Sequence, residues 1–266
     1  MHTLVINDNK LGYLDAIGLI GIRKGDILVL SSDITRIWYK EYHQTGEFPS
    51  VDKFIDTFIE IVGDEGTILI PMFNWDFCKG KTFDIKRTKG RVGALGNEVL
   101  KRTDFRRTKH PIYSFLVWGK YKDYLCDLDN IDSFGVDTPF DFLYKYHSKW
   151  VFIDINLDQG FTFVHHMEQI GKVPYRFNKS FVANYIDYDG NLTEREYSMF
   201  VRKLELNPIQ DMKALELEYL ESGIANNYII NDIRYMVVDT FKAYLPLLND
   251  IINNNCKKIY KYDGQN

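Results

Sequence analysis

The fold is decided by two apolar runs, residues 26–31 (DILVLS) and residues 67–73 (TILIPMF). Each run is short, almost entirely apolar and followed by polar residues, which is typical of a strand buried on both faces. Between them, Ser50 precedes apolar residues at helical spacing that continue to about Gly63, so Ser50 is predicted to cap a helix. This order predicts an α/β fold whose central sheet is largely parallel or mixed, with helices on both faces.

The rest of the chain extends this pattern. Helices are predicted over residues 7–21 (capped by Asn7 or Asp8), over 93–103, after Pro208 and up to about Ile252, and strands over 112–119, 150–155 and 235–238. Residues 138–141 (TPFD) predict a helix that begins with Thr138 as N-cap. Residues 189–191 (DGN) predict a β-hairpin elaboration over about 178–203. Without repeats or linkers, we expect residues 1–266 to form a single domain.

Composition excludes several classes of protein. The chain has 33 Lys and Arg against 37 Asp and Glu, a net charge of −4, whereas a nucleic-acid binder usually has a basic surplus. No apolar run approaches 18 residues, so we expect no membrane insertion. Residues 1–9 lack the pattern of a signal peptide, and we expect a cytoplasmic protein. The cysteines Cys78, Cys126 and Cys256 are too few and too dispersed for a disulfide framework or a CxxC metal site.

Common catalytic motifs are missing from the sequence. Neither GxxxxGK[ST] nor GxSxG occurs, which argues against a P-loop NTPase and an α/β-hydrolase. Residues 90–96 (GRVGALG) are rich in glycine, but their spacing is not GxGxxG and they follow no predicted strand. A dinucleotide-binding site is therefore disfavoured.

Residues 162–168 (TFVHHME) are the strongest candidate for catalysis. If Thr162 caps a helix, His165 is its third residue and Glu168 lies one turn later on the same face. Such a pair can act as a general base with an orienting carboxylate. Two alternatives stay open: a structural histidine beside a surface salt bridge, and a zinc site formed with His166, for which no distant ligands are evident.

A second candidate site is basic. Arg107 and His110 lie in a segment rich in Lys and Arg, which suits the phosphates of a nucleotide or of coenzyme A, although a solvated basic surface explains the same residues. Ser31 and Ser32 follow the first buried strand, at the edge of the sheet where open α/β folds bind ligands.

Taken in order, these segments resemble the aminoglycoside 3-N-acetyltransferase family over about residues 28–168. The matching segments are residues 29–32 (VLSS), 66–73 (GTILIPMF), 91–95 (RVGAL), 107–114 (RTKHPIYS), 137–139 (DTP) and the pair His165 and Glu168. The sequence departs from the family pattern at Leu30, where a histidine is usual, and at Thr108 and Thr138, where serines are usual.

The resemblance implies transfer of an acyl group from acyl-CoA to an amine without a metal or a covalent acyl-enzyme. His165 would be the general base, Glu168 would orient it, and Thr138 would help to stabilise the oxyanion. Coenzyme A would be bound by Ser31, Ser32, Arg107, His110 and Ser114.

The acceptor is predicted from charge and composition. An aminoglycoside is a polycation and requires an acidic cleft, whereas this chain is only mildly acidic and aromatic residues are frequent after residue 174. We therefore expect a nucleotide-linked amino sugar such as a dTDP-3-amino-3,6-dideoxyhexose, acylated with acetyl or 3-hydroxybutyryl for surface polysaccharide synthesis. The alternatives are an aminoglycoside 3-N-acetyltransferase and a non-catalytic binding protein. A homodimer is expected if exposed aromatic side chains cluster.

Overall fold

The computed structural model describes residues 3–8 and 10–265. The strands are β1 (Thr3–Ile6), β2 (Ile27–Ser32), β3 (Thr67–Pro71), β4 (Phe83–Asp84), β5 (Arg106–Arg107), β6 (Phe115–Gly119), β7 (Lys149–Ile153), β8 (Arg176–Ile186), β9 (Leu192–Arg202), β10 (Ile209–Gln210), β11 (Ala225–Ile230), β12 (Ile233–Asp239) and β13 (Tyr260–Lys261). The helices are α1 (Tyr13–Leu19), α2 (Thr35–Thr45), α3 (Val51–Val62), α4 (Leu95–Val99), α5 (Lys122–Asp127), α6 (Pro139–Lys145), α7 (Leu157–Gly160), α8 (Phe163–Ile170), α9 (Lys213–Glu221) and α10 (Thr240–Asn253).

An eight-stranded mixed sheet organises the molecule, in the order β1-β11-β12-β7-β2-β3-β6-β5. The pairs β1/β11, β7/β2 and β2/β3 are parallel, and the other four are antiparallel. This confirms the predicted α/β class with a mixed sheet, and the parallel centre consists of the two runs that decide the fold together with β7. The carboxyl ends of these three strands meet at one edge, which is where the site lies.

Both faces of the sheet are covered. Alternate residues of β2 enter different apolar clusters: Ile27 and Val29 pack on the face of α6, α8 and α10, while Leu28 and Leu30 pack on the face of α1 and α3. Strand β7 alternates in the same way, with Trp150 on the first face. Burial on both faces explains why these strands read as continuous apolar runs. The single-domain organisation stays a prediction.

The predicted caps are confirmed in part. Ser50 accepts a hydrogen bond from the amide of Lys53, and Thr138 caps α6. Thr162 precedes α8, but its backbone is helical and its side chain makes no capping bond, so its predicted capping role is wrong. His165 is nevertheless the third residue of α8.

Some predicted elements are shorter in the structure: the helix predicted over residues 93–103 spans Leu95–Val99, and the strand predicted over residues 112–119 begins at Phe115. The predicted first helix begins later, at Tyr13, because Asp15 accepts the amide hydrogen of Gly12 at 2.8 Å and caps the helix there; of the predicted range, Asn9 lies outside the described residues. The polar loop that follows β3 contains a 3-10 turn (Phe77–Lys79) and β4, which pairs with the predicted hairpin β8–β9 in a separate three-stranded sheet.

Some exposed aromatic side chains lie next to one another on the surface. At the end of α2, Tyr42 stacks on Phe48 with ring centroids 4.5 Å apart, and Tyr39 lies nearby. A homodimer stays a prediction. No helix in the described part of the chain is long and apolar enough to cross a membrane.

Candidate active site

Helix α8 presents a histidine and a glutamate one turn apart. The Nδ1 atom of His165 lies 2.7 Å from Oε2 of Glu168; Glu168 is fully buried, whereas the His165 side chain retains 15% exposure. A carboxylate accepts the hydrogen of Nδ1 and thereby fixes the tautomer, which leaves the lone pair on Nε2. The pair therefore has the arrangement of a general base and its orienting group.

Tyr175 and Arg176, which follow Pro174, also contact the carboxylate of Glu168. The hydroxyl of Tyr175 donates to Oε1 at 2.8 Å, and Nε of Arg176 forms an ion pair with Oε2 at 2.8 Å. Burial alone would raise the pKa of Glu168, but the charge of Arg176, together with the hydrogen bonds that His165 and Tyr175 make to the carboxylate, outweighs burial and lowers it. Glu168 is therefore held as a carboxylate.

The same surroundings keep His165 neutral. Burial lowers the pKa of His165 below its usual value, the charge of Arg176 lowers it further, and Glu168 opposes both. The net direction is downward, so the imidazole is uncharged at neutral pH and able to take a proton.

Aromatic rings lie beside His165. The ring of Phe134 meets that of His165 edge-on at 5.4 Å, and the ring of Tyr113 lies 4.5 Å from that of Phe134. The indole nitrogen of Trp75 donates to the hydroxyl of Tyr113 at 3.3 Å. These rings form an apolar wall next to the base.

A cavity of about 260 Å³ opens at the carboxyl ends of β2 and β3. It is lined by Leu30, Ser31, Ser32, Ile70, Pro71, Phe73, Val92, Gly93, Leu95, Gly96, Ile155, Gln159, Gly160 and Thr162. Two glycines make this close packing possible: Gly93 has a φ of +96°, and a Cβ at Gly96 would lie 2.6 Å from the sulfur of Met72. Thr162 joins the cavity to the turn of α8 that carries His165.

Ser31 and Ser32 lie where the sequence places them, on this cavity. The hydroxyl of Ser31 accepts a hydrogen bond from the indole nitrogen of Trp150 at 2.9 Å. Ser32 is half-buried at the end of β2.

Arg107, His110 and Ser114 have a different environment from the one expected for coenzyme A contacts. All three are buried, and Nε of Arg107 donates to the hydroxyl of Ser114 at 2.9 Å. Arg107 also bonds the carbonyl oxygens of Met72 and Thr88. Their polar atoms bond to the protein interior and hold the chain around β6, and the expected role of these three residues in binding coenzyme A stays a prediction.

Thr138 is also buried, and its hydroxyl donates to the carbonyl of Gly135 at 2.7 Å while accepting from the amide of Asp141. Both bonds lie within the turn that starts α6. The hydroxyl therefore caps α6 in this structure, and a role of Thr138 in oxyanion stabilisation stays a prediction.

The alternative of a zinc site formed by His165, His166 and Glu168 lacks a suitable set of ligands among the described residues. Nδ1 of His166 bonds the carbonyl oxygen of Phe134 at 2.7 Å, so this ring is turned away from Glu168. Within residues 3–8 and 10–265, no group of three His, Cys, Asp or Glu side chains could hold a metal ion.

Tyr175 and Arg176 are site residues that the sequence analysis missed. The frequent aromatics after residue 174 include Tyr175, but a single arginine at the start of a strand gives no signal of its partner. Their contact with Glu168 is created by the path of β8 past α8.

Comparison with known proteins agrees with this architecture. The family model for aminoglycoside 3-N-acetyltransferase matches residues 41–245. The fold is similar to aminoglycoside acetyltransferase AAC(3)-Xa, with a TM-score of 0.73 and 16% identity over 90% of both chains. No curated protein sequence matches the chain significantly.

Two further solved structures share the fold. AAC-IIIb, solved as a binary complex with CoASH, has a TM-score of 0.73 and 18% identity over 91% of this chain and 95% of that one. The YokD protein from Bacillus subtilis has a TM-score of 0.70 and 19% identity over 91% and 97%. Since the family model spans most of the sequence, the chain belongs to the aminoglycoside 3-N-acetyltransferase family and is an N-acyltransferase.

Proposed function

We propose that this N-acyltransferase moves an acyl group from acyl-CoA directly to the amino group of a nucleotide-linked amino sugar. The observation that carries the catalytic part is the His165–Glu168 pair, with Nδ1 bonded to a buried carboxylate and the ring still accessible. Because acyl-CoA is a cytoplasmic metabolite, the proposal includes a cytoplasmic location.

His165 acts as the general base. The amine nitrogen attacks the thioester carbonyl carbon and forms a C–N bond, Nε2 of His165 takes the proton that the nitrogen loses, and the C–S bond breaks to release the CoA thiolate. Glu168 stabilises the imidazolium that forms, and the proton then passes to the thiolate or to solvent. No covalent acyl-enzyme is required, and burial raises the pKa of the half-buried Cys78 thiol to about 11, which disfavours a thiolate nucleophile there.

Coenzyme A occupies the cavity at the ends of β2 and β3. Its apolar lining suits the pantetheine arm, and Ser31, Ser32 and Gln159 offer polar atoms along it. A thioester at the Thr162 end of this cavity would lie next to the turn of α8 that carries His165.

The charge of the loop of residues 76–89 and of the hairpin supports an anionic acceptor. The loop of residues 76–89 contains five Lys or Arg and two Asp, and the hairpin of residues 178–203 contains four of each sign. Both loop carboxylates form ion pairs, Asp76 with Arg91 at 2.7 Å and Asp84 with Arg87 at 3.8 Å. Unlike the acidic cleft that a polycation requires, this surface suits a phosphate-bearing sugar.

An aminoglycoside acceptor is the second candidate, and family membership favours it. The catalytic step is the same for both acceptors, so the two candidates differ only in the charge that the surface around His165 must accommodate.

The test measures thiol release from acetyl-CoA and 3-hydroxybutyryl-CoA. Acceptors are dTDP-3-amino-3,6-dideoxyhexoses and kanamycin-type aminoglycosides. We expect turnover on the nucleotide sugar, and a KM for it that rises in Lys179→Glu, since Lys179 lies on β8 near the loop of residues 76–89. Lys53→Glu, on α3 at the other face of the sheet, is the matched control. Turnover on aminoglycosides alone would refute the nucleotide-sugar proposal and establish the second candidate.

A further inference from the structure

A buried arginine lies behind the catalytic pair. The Arg176 side chain is 6% exposed, and its Nε is 2.8 Å from Oε2 of Glu168, the oxygen that also faces His165. Arg176 is the first residue of β8, so its backbone is fixed by pairing with β9. One carboxylate oxygen therefore lies between a permanent cation and the imidazole.

The guanidinium is held at two further points. One terminal nitrogen donates to the carbonyl of Phe200 at 3.0 Å, and the other donates to the hydroxyl of Tyr260 at 2.7 Å. The Tyr260 hydroxyl in turn donates to Oε1 of Gln210 at 3.0 Å. Tyr260 lies outside residues 41–245, the segment that the family model matches, so one partner of this contact is not part of the matched segment.

The charges that face His165 come from three elements. Glu168 of α8 attracts a proton to the ring, whereas Arg176 of β8 and Arg202 of β9 repel it. Arg176 and Arg202 are paired directly across the two strands, but only Arg176 is buried, where solvent screens its charge little. Tyr175 adds a neutral hydrogen bond to Glu168.

We propose that Arg176 is a positioning residue, which fixes Glu168 against Nδ1 and keeps His165 in the neutral form that can accept a proton, while Tyr260 holds the guanidinium in place. This inference rests on the proposed role of His165 as the base. Without the guanidinium, nothing would offset the negative charge of the buried carboxylate, and the imidazole would bind a second proton more tightly. His165 would then be protonated at neutral pH and could not act as a base.

The first test is an NMR titration of His165 in the free protein, with the resonance assigned by its loss in His165→Ala. We expect the midpoint to rise by ~1 pH unit or more in Arg176→Gln, as for loss of a nearby like charge. Arg176→Lys keeps the charge and should stay close to wild type. Arg195→Gln, which removes an arginine that pairs with Asp129 near the hairpin tip, should leave the midpoint unchanged.

The second test is the pH profile of thiol release. The acid limb of kcat/KM should move to higher pH in Arg176→Gln, so that activity lost at pH 7 is regained at higher pH, and it should move less in Tyr260→Phe. A purely structural role would lower activity at every pH without moving the limb. If Arg176→Gln does not fold, Tyr260→Phe becomes the decisive variant: reduced activity with an unchanged His165 midpoint and an unmoved acid limb would overturn the proposal.

The two readouts separate this inference from the proposed function. A raised His165 midpoint supports the inference even if no acceptor on the panel is turned over. Equal midpoints in the wild type and a folded Arg176→Gln refute it, whatever the acceptor. A moved midpoint with an unmoved rate profile would instead refute His165 as the base.

Discussion

His165 is half-buried and His110 is buried, and burial lowers the pKa of each. Their bonds differ. In His110, Nδ1 accepts the backbone amide hydrogens of Ile112 and Tyr113, and Nε2 bonds the hydroxyl of Ser133 at 3.2 Å. In His165, Nδ1 faces a carboxylate and the ring keeps an exposed edge.

This difference decides which ring can do chemistry. Protonation of His110 would place a hydrogen on Nδ1, where it would point at the two amide hydrogens that Nδ1 now accepts; this is unfavourable, so the ring stays neutral. Protonation of His165 forms an imidazolium that Glu168 stabilises. A lowered pKa is therefore common to both rings, and the partner of Nδ1 distinguishes a base from a structural side chain.

The largest expected effect is the loss of the base. His165→Ala should lower the rate of thiol release by about 10²–10⁴-fold, the usual contribution of general base catalysis. Stability should change little, because Glu168 keeps its ion pair with Arg176. Steady-state rates and a thermal melt measure both.

His110→Ala is the matched control for that comparison. It should retain the rate per folded molecule, because both ring nitrogens of His110 serve the protein interior. If His110→Ala lowers the rate as much as His165→Ala while it remains folded, the distinction between the two rings is wrong.

The sequence allowed the fold around these histidines to be predicted more fully than their contacts. Strands β2 and β3 are readable because burial on both faces requires continuous apolar residues. Strand β11 was not predicted because polar residues interrupt its apolar pattern. Asn227 is buried there, and hydrogen bonds to the side chains of Thr3 and Arg234 satisfy its amide group. These partners lie on other strands, so no local sequence pattern indicates them.

The site shows the same limit. His165, Glu168, Ser31 and Ser32 were found because local spacing and position at a strand end are visible in sequence. Whether Arg107 and His110 meet solvent or the interior depends on the packing of other elements around them, and their basic surroundings suggested a phosphate site. The contact between Arg176 and Glu168 joins two elements whose approach no spacing rule specifies.

The second prediction concerns stability and pH. Burial lowers the pKa of His110 to about 4, from an ordinary value near 6.5 in the unfolded chain. The unfolded chain therefore binds a proton that the folded protein does not, and the contribution of this group is present above pH 6.5 and is lost as pH falls toward 4. The loss should reach ~3 kcal/mol at most.

His110→Asn tests this linkage, since an amide oxygen can accept the same two backbone hydrogens and does not titrate in this range. Denaturant unfolding between pH 7 and 4 should show a smaller fall in the free energy of unfolding for the variant than for the wild type. Parallel curves would show that His110 does not carry the pH dependence.

The smallest expected effect separates the two roles considered for Thr138. If Thr138 acts only as a helix cap whose hydroxyl is bonded within its own turn, Thr138→Val should lower the free energy of unfolding by about 1 kcal/mol and change kcat little. If Thr138 is an oxyanion donor, the same variant should lower kcat by about 10²–10³-fold. Thr138→Ser, which keeps the hydroxyl, is the control in both cases. The hydroxyl of Thr138, like the ring of His110, is bonded within the protein, so we expect Thr138→Val to shift only the melting curve. A fall in kcat that Thr138→Ser restores would instead assign Thr138 a catalytic role.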